Sequence, residues 1–121
     1  MRFLFFLALG FSLFSCSNDG VLEIDEKTIV LPDLKLGEAG YDSVLIRNSG
    51  KGDLYISNVY TDCSCTLIDD NEIILSPEES KYLKFSIKPT VTGFVQQMIV
   101  LNSNSKISNS EIILIRVKVH I

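Results

Sequence analysis

Over the second half of the chain, apolar residues recur at every second position. Leu83, Phe85 and Ile87 alternate with Tyr82, Lys84, Ser86 and Lys88, and Ile113, Ile115, Val117, Val119 and Ile121 alternate with Leu114, Arg116, Lys118 and His120. Successive side chains of an extended strand point to opposite faces, so this pattern gives one buried and one wetter face to each strand. A helix would need apolar residues at intervals of three and four, and no segment sustains that period. Similar runs predict strands over Glu26–Leu31, Tyr41–Asn48, Asp53–Tyr60, Glu72–Leu75 and Phe94–Asn102. Turn-forming clusters separate them: Pro32-Asp33, Gly37-Glu38-Ala39-Gly40, Asn48 to Asp53, Ser76-Pro77-Glu78-Glu79 and Asn102–Ser110. Short strands at regular spacing predict an all-β sandwich or small barrel. Asn102–Ser110 is the one long polar connection and is expected to be mobile.

The N-terminus does not share that pattern. Met1 and Arg2 precede an uncharged apolar run, Phe3 to Phe14, that is too short for the ~20 residues a helix needs to cross a bilayer. A basic start and a short apolar stretch mark a secretory signal. The run ends in Leu13-Phe14-Ser15-Cys16, which resembles a bacterial lipobox. That resemblance implies cleavage before Cys16 and a diacylglyceryl group on its thiol; a plain signal peptide or an uncleaved anchor are the other readings. Cysteine parity agrees with lipidation. The chain has three cysteines, and acylating Cys16 leaves Cys63 and Cys65 as an even pair. The expected organisation is a signal peptide over 1–15, a lipidated Cys16 with a polar tether over 16–25, and one sandwich over 26–121. No internal repeat or second domain is evident. Ser17, rather than Asp, follows Cys16, which by resemblance to enteric sorting rules favours the outer membrane over the inner one.

With a net charge of −4 and no basic stripe, the chain is not expected to bind nucleic acid or to hold an anionic membrane by charge. Membrane attachment would come from the lipid alone.

Cys63-Ser64-Cys65 is the one chemically pointed feature. On a strand, residues two apart project from one face, so both thiols would point the same way. A disulfide here closes a loop of three residues, which chain entropy values at roughly 1.6 kcal/mol, a weak staple. A reducible pair fits the same tight ring. Two thiolates also suit Cu(I), with Met98 and His120 as the remaining soft or nitrogen donors. In the fourth reading, two small side chains pack at a strand end. Asp69-Asp70-Asn71-Glu72 has consecutive acids rather than the alternating ligands of a calcium loop, and reads as a solvated hairpin turn. The single histidine, His120, sits on the more polar face of the last strand, so no catalytic residues are assigned. Tyr41, Tyr55, Tyr60 and Tyr82 are candidates for an interface.

Several stretches together are similar to an exported bacterial family. They are Leu31 to Gly37, Val44 to Gly50 with its Asn-x-Gly turn, Asp53 to Ile56, Val59-Tyr60-Thr61-Asp62-Cys63-Ser64-Cys65-Thr66, Pro77 to Phe85, and Gly93-Phe94 followed by Leu101 to Asn104. They resemble the domain-of-unknown-function family fifteen seventy-three, found in Bacteroidota lipoproteins, across residues 27–121. The resemblance implies an immunoglobulin-like sandwich of about seven antiparallel strands and carries no activity. Leu34, Ser64 and Glu78 stand where that family has glycine. The expected function is a non-enzymatic, lipid-anchored cell-envelope module facing the periplasm, binding a protein or glycan or supporting a larger assembly. The alternative is thiol-redox or copper handling through Cys63 and Cys65.

Overall fold

A computed structural model describes residues 19–121; Cys16 and the expected signal peptide lie outside the described residues. Ten strands follow one another, with no helix among the described residues: β1 (Leu22–Ile24), β2 (Thr28–Val30), β3 (Leu34–Lys35), β4 (Gly40–Asn48), β5 (Leu54–Thr61), β6 (Thr66–Ile68), β7 (Ile73–Leu75), β8 (Ser80–Ile87), β9 (Gly93–Ser103) and β10 (Ser110–His120). They form two sheets. One has the order β1-β4-β8-β6, and the other β2-β10-β9-β5-β7 with β3 also on β10.

The alternation places the core where the sequence predicts. Leu83, Phe85 and Ile87 of β8 face Ile99, Leu101, Ile113 and Ile115 from the other sheet's strands, all of them buried in one cluster. Burying each such side chain contributes about 1.5–3 kcal/mol, the dominant favourable term in a fold of this size. The one departure on the last strand is Ile121, which lies past the end of β10 and is 93% exposed.

Three differences from the expected architecture have local causes. First, not every strand pair is antiparallel: β2 and β3 both run parallel to β10. Only three residues, 25–27, separate β1 on one sheet from β2 on the other. Pro32 then splits what would be one edge strand, because it has no N–H for the ladder. Pairing resumes on either side, with Leu31 N–H donating to Arg116 O (2.9 Å) and Leu36 N–H to His120 O (2.7 Å).

Second, the stretch expected as a tether belongs to the sandwich from residue 19 onward. β1 pairs with β4, Lys51 N–H donates to Asp19 O (3.2 Å), and Ser49 N–H donates to Val21 O (3.0 Å). Gly50 makes this closeness possible. A Cβ there would run into the Asp19 carbonyl and come within 2.7 Å of the Val21 nitrogen.

Third, the 102–110 connection is anchored at several points rather than loose. Ser105 is buried and its hydroxyl accepts the Leu22 N–H (3.0 Å), Asn104 accepts the Tyr55 N–H (2.8 Å), and Lys106 N–H donates to Gly20 O (3.0 Å).

The 76–79 turn accounts for one of the missing glycines. Glu78 has a φ of 70°, in the left-handed region where a side chain costs roughly 1–2 kcal/mol. Its carboxylate pairs with Arg47, and an exposed pair of this kind offsets little of that strain. Glu78→Gly is therefore expected to raise unfolding stability slightly, by about 0.5–1 kcal/mol in urea titration. A lower midpoint would mean that the Arg47 pair outweighs the backbone.

Candidate functional site

The Cys63-Ser64-Cys65 segment is not a strand. It is the turn by which the chain leaves β5 in one sheet and enters β6 in the other. An extended strand separates the Cα atoms of residues i and i+2 by roughly 6.7 Å. Here Cys63 and Cys65 are 5.2 Å apart and joined by a disulfide. The contraction comes from the turn: Thr66 N–H (3.2 Å) and the Thr61 hydroxyl (2.8 Å) both donate to Cys63 O. The far side is fixed by Lys88 N–H donating to Cys65 O (2.9 Å). Of the four sequence readings, the bonded pair is the one the geometry holds. Two separate thiols packing at a strand end is set aside.

Both sulfurs receive N–H groups. Cys65 N–H points at Cys63 Sγ (3.2 Å), and Gln97 Nε2–H at Cys65 Sγ (3.0 Å). The Gln97 carboxamide is oriented by the Thr66 hydroxyl, which donates to Oε1 at 2.6 Å. Gln97 and Thr66 are both buried, and each finds a hydrogen-bond partner within the site. The sequence signal for Gln97 is an interruption in the inner-face series Val95, Gln97, Ile99, Leu101, a polar residue where the alternation calls for an apolar one.

The disulfide forms part of the wall of an open cleft of about 500 Å³. Leu36 and Gly37 line it from the turn after β3, Ser64, Cys65 and Leu67 from the crossover, and Lys88, Pro89 and Thr90 from the segment after β8. Leu67 is 67% and Leu36 45% exposed, so two leucines face solvent beside the sulfurs. Both half-buried cysteines are within reach of solvent.

The other sequence candidates fall elsewhere. Met98 alternates onto the outer face of its sheet, opposite to Gln97, and His120 lies at the exposed end of β10 with its Nδ1 beside Ile121 O (3.2 Å). As a disulfide, the two sulfurs have no thiolate to offer Cu(I) until they are reduced. Residues 69–72 connect β6 to β7, which are in different sheets, so the segment is an arch between layers rather than a hairpin. Its acids have separate partners: Asp70 pairs with Lys81 (3.4 Å), and Glu72 accepts the Tyr55 hydroxyl. That bond holds the Tyr55 hydroxyl pKa above its ordinary value. The four tyrosines are exposed but divided, with Tyr41 and Tyr82 on one sheet and Tyr55 and Tyr60 on the other.

So short a ring carries little of the fold's stability. Replacing both Cys63 and Cys65 with serine is expected to lower unfolding stability by only about 1–2 kcal/mol in urea titration, with cooperativity retained. Loss of cooperative folding would show that the disulfide is structural after all.

Residues 20–118 match the family model described as HYDIN/CFA65/VesB-like, Ig-like domain. Among solved structures, the chain is similar to a protein of unknown function from Porphyromonas gingivalis W83, at 22% identity and a TM-score of 0.70. That match covers 88% of this chain and 50% of the other, so this chain spans half the length of that protein. It is also similar to the ASH/PapD-like domain 7 of human CEP192, at 11% identity and a TM-score of 0.62, covering 96% of this chain and 95% of that one. A third likeness is the periplasmic chaperone SfaE, at 8% identity and a TM-score of 0.59, over 82% of this chain and 57% of the chaperone. At these identities the likeness is one of fold. No curated protein matches.

Proposed function

The chain belongs to the HYDIN/CFA65/VesB-like Ig-like domain family, and from that premise we propose that it is a non-enzymatic binding module that docks an extended segment of a cell-envelope protein. The carrying observation is the cleft beside β6, where Leu36 and Leu67 present apolar surface to solvent. β6 lies at the edge of its sheet and pairs on one side only, with β8. An edge strand next to apolar pockets is the arrangement that accepts an added strand, with main-chain bonds giving affinity and pockets selecting side chains. The likeness to the periplasmic chaperone SfaE supports a module of this kind. A glycan is the less favoured partner, because the exposed tyrosines lie on two different sheets rather than forming one stacking platform.

The module is anchored through lipid on Cys16, faces the periplasm and sits in the outer membrane in preference to the inner one. The lipobox-like Leu13-Phe14-Ser15-Cys16 and Ser17 support this placement. The narrower resemblance to domain-of-unknown-function family fifteen seventy-three supports the same setting.

A photocrosslinking residue placed at Leu67 of the full chain in intact envelope tests the docking, with Lys51 as the control position. One envelope protein, joined through an extended segment and lost on Leu36→Asp, is the expected result. Equal capture from Lys51 would remove the cleft as the docking site. Labelling with a radioactive fatty acid tests the anchor: Cys16→Ser should abolish the label and release the protein from membranes.

A further inference from the structure

We propose that Cys65 is a thiol-exchange site, at which a cysteine-bearing apolar peptide seated in the cleft becomes covalently held. This rests on the docking described above and adds a chemical step to it. Three observations lead there. The disulfide spans a loop so short that it contributes little to folding, so stability does not account for it. Cys65 is among the residues lining the cleft while Cys63 is not, so a thiolate arriving through the cleft comes first to the Cys65 end of the bond. The two sulfurs also have different neighbours, and the one at Cys63 Sγ, the Cys65 N–H, suits a departing thiolate.

The step balances without an outside oxidant. A peptide thiolate attacks Cys65 Sγ, the Sγ–Sγ bond breaks, and its electron pair leaves on Cys63 Sγ. One thiolate is consumed and one is formed, while a new disulfide joins the peptide sulfur to Cys65. The departing Cys63 thiolate is received by the Cys65 N–H, which already points at it from 3.2 Å. A hydrogen bond to an ionised sulfur is stronger than one to a disulfide sulfur, so this donor favours departure. The Gln97 carboxamide lies against Cys65 Sγ, with Nε2 at 3.0 Å and Oε1 at 3.2 Å. Return attack by Cys63 on Cys65 Sγ expels the peptide thiolate and restores the starting disulfide. If the peptide carries a second thiolate, that sulfur can attack the first. The peptide then leaves oxidised, and Cys63 and Cys65 remain as a dithiol, the protein disulfide having accepted the two electrons.

The cleft sets the substrate class. Leu36, Leu67 and Pro89 offer apolar contacts, and Lys88 is the one charged residue lining it. The favoured thiol is therefore a cysteine flanked by apolar residues, not a small polar thiol.

The test uses the full oxidised chain and two acetylated peptides of equal length, one with leucines flanking a single cysteine and one with serines. Reactions are quenched in acid, free thiols are alkylated, and the mixed disulfide is located by fragmentation mass spectrometry. The leucine peptide should form its adduct at least about tenfold faster, the low end of what burial of one leucine-sized side chain supplies. The adduct should lie on Cys65, with Cys63 alkylated. Leu67→Ala, on an exposed position, should bring the ratio of the leucine-peptide rate to the serine-peptide rate close to one. An adduct on Cys63, or none with either peptide, overturns the proposal. A leucine peptide with serine in place of cysteine measures docking alone. If it binds while no adduct forms, docking stands and exchange fails. If adducts form on Cys65 at equal rates from both peptides, exchange stands and docking of apolar segments fails.

Discussion

Asn48→Ala is expected to cost about 3–5 kcal/mol of unfolding stability, a large share of the roughly 5–15 kcal/mol that holds a domain of this size together. Asn48 is the last residue of β4 and is fully buried. Its Oδ1 accepts the N–H groups of Val21 (3.1 Å) and Gly50 (2.9 Å), and its Nδ2 donates to the carbonyls of Gly52 (2.8 Å) and Leu75 (3.0 Å). One carboxamide therefore joins the start of the fold, the turn after β4 and the end of β7. Truncation leaves four main-chain groups without that partner, and each buried group left unsatisfied costs about 1–3 kcal/mol. Water can reach the part-buried pair and offset some of the loss, which sets the total below the simple sum. Asn48→Asp is the sharper control. It keeps the two acceptor bonds but turns an anion toward two carbonyl oxygens, so it should be at least as damaging at neutral pH. Urea titration measures both. A loss under about 1 kcal/mol for Asn48→Ala, the scale of one ordinary hydrogen bond, would show that the clamp is not used as drawn.

That clamp also marks where the sequence stops being legible. Asn48-Ser49-Gly50 reads as a turn from local chemistry alone, and a turn it is. Two of the side chain's partners, Val21 and Leu75, lie 27 positions away in either direction, and no local pattern points to them. Long strands show the opposite behaviour. β8, β9 and β10 repeat the alternation often enough for face and extent to be read directly. β1, β3 and β6 have two or three residues each, less than two periods, so nothing distinguishes them from loop. The same limit hid the site. The spacing of Cys63 and Cys65 was plain, but whether they face alike on a strand or close a turn depends on β6 crossing to the other sheet. Leu36 and Lys88, which complete the cleft, arrive from either side of that crossing, Leu36 27 positions before Cys63 and Lys88 23 positions after Cys65. Gln97 alone left a trace, as a polar residue in an apolar series.

Ile115 and Ile121 put the alternation itself to the test, because the sequence assigns both to the buried face and the structure separates them. Ile115 is fully buried at the middle of β10, between Gln97 of β9 and Ile29 of β2. Cutting it to alanine removes transfer energy and leaves a cavity that β10, held by neighbours on both sides, has little freedom to fill. The expected loss is about 2–5 kcal/mol, with Ile115→Val at about 0.5–1.5 kcal/mol. Ile121 follows the last paired residue, and the chain there has no neighbouring strand to fix its face. Ile121→Ala should fall within about 0.5 kcal/mol of the parent. The comparison isolates burial from residue type, since the same isoleucine-to-alanine change is made twice in one run. If the two variants shifted the urea midpoint equally, the sandwich would not be packed around β10, and the position of the cleft beyond its far end would lose its support.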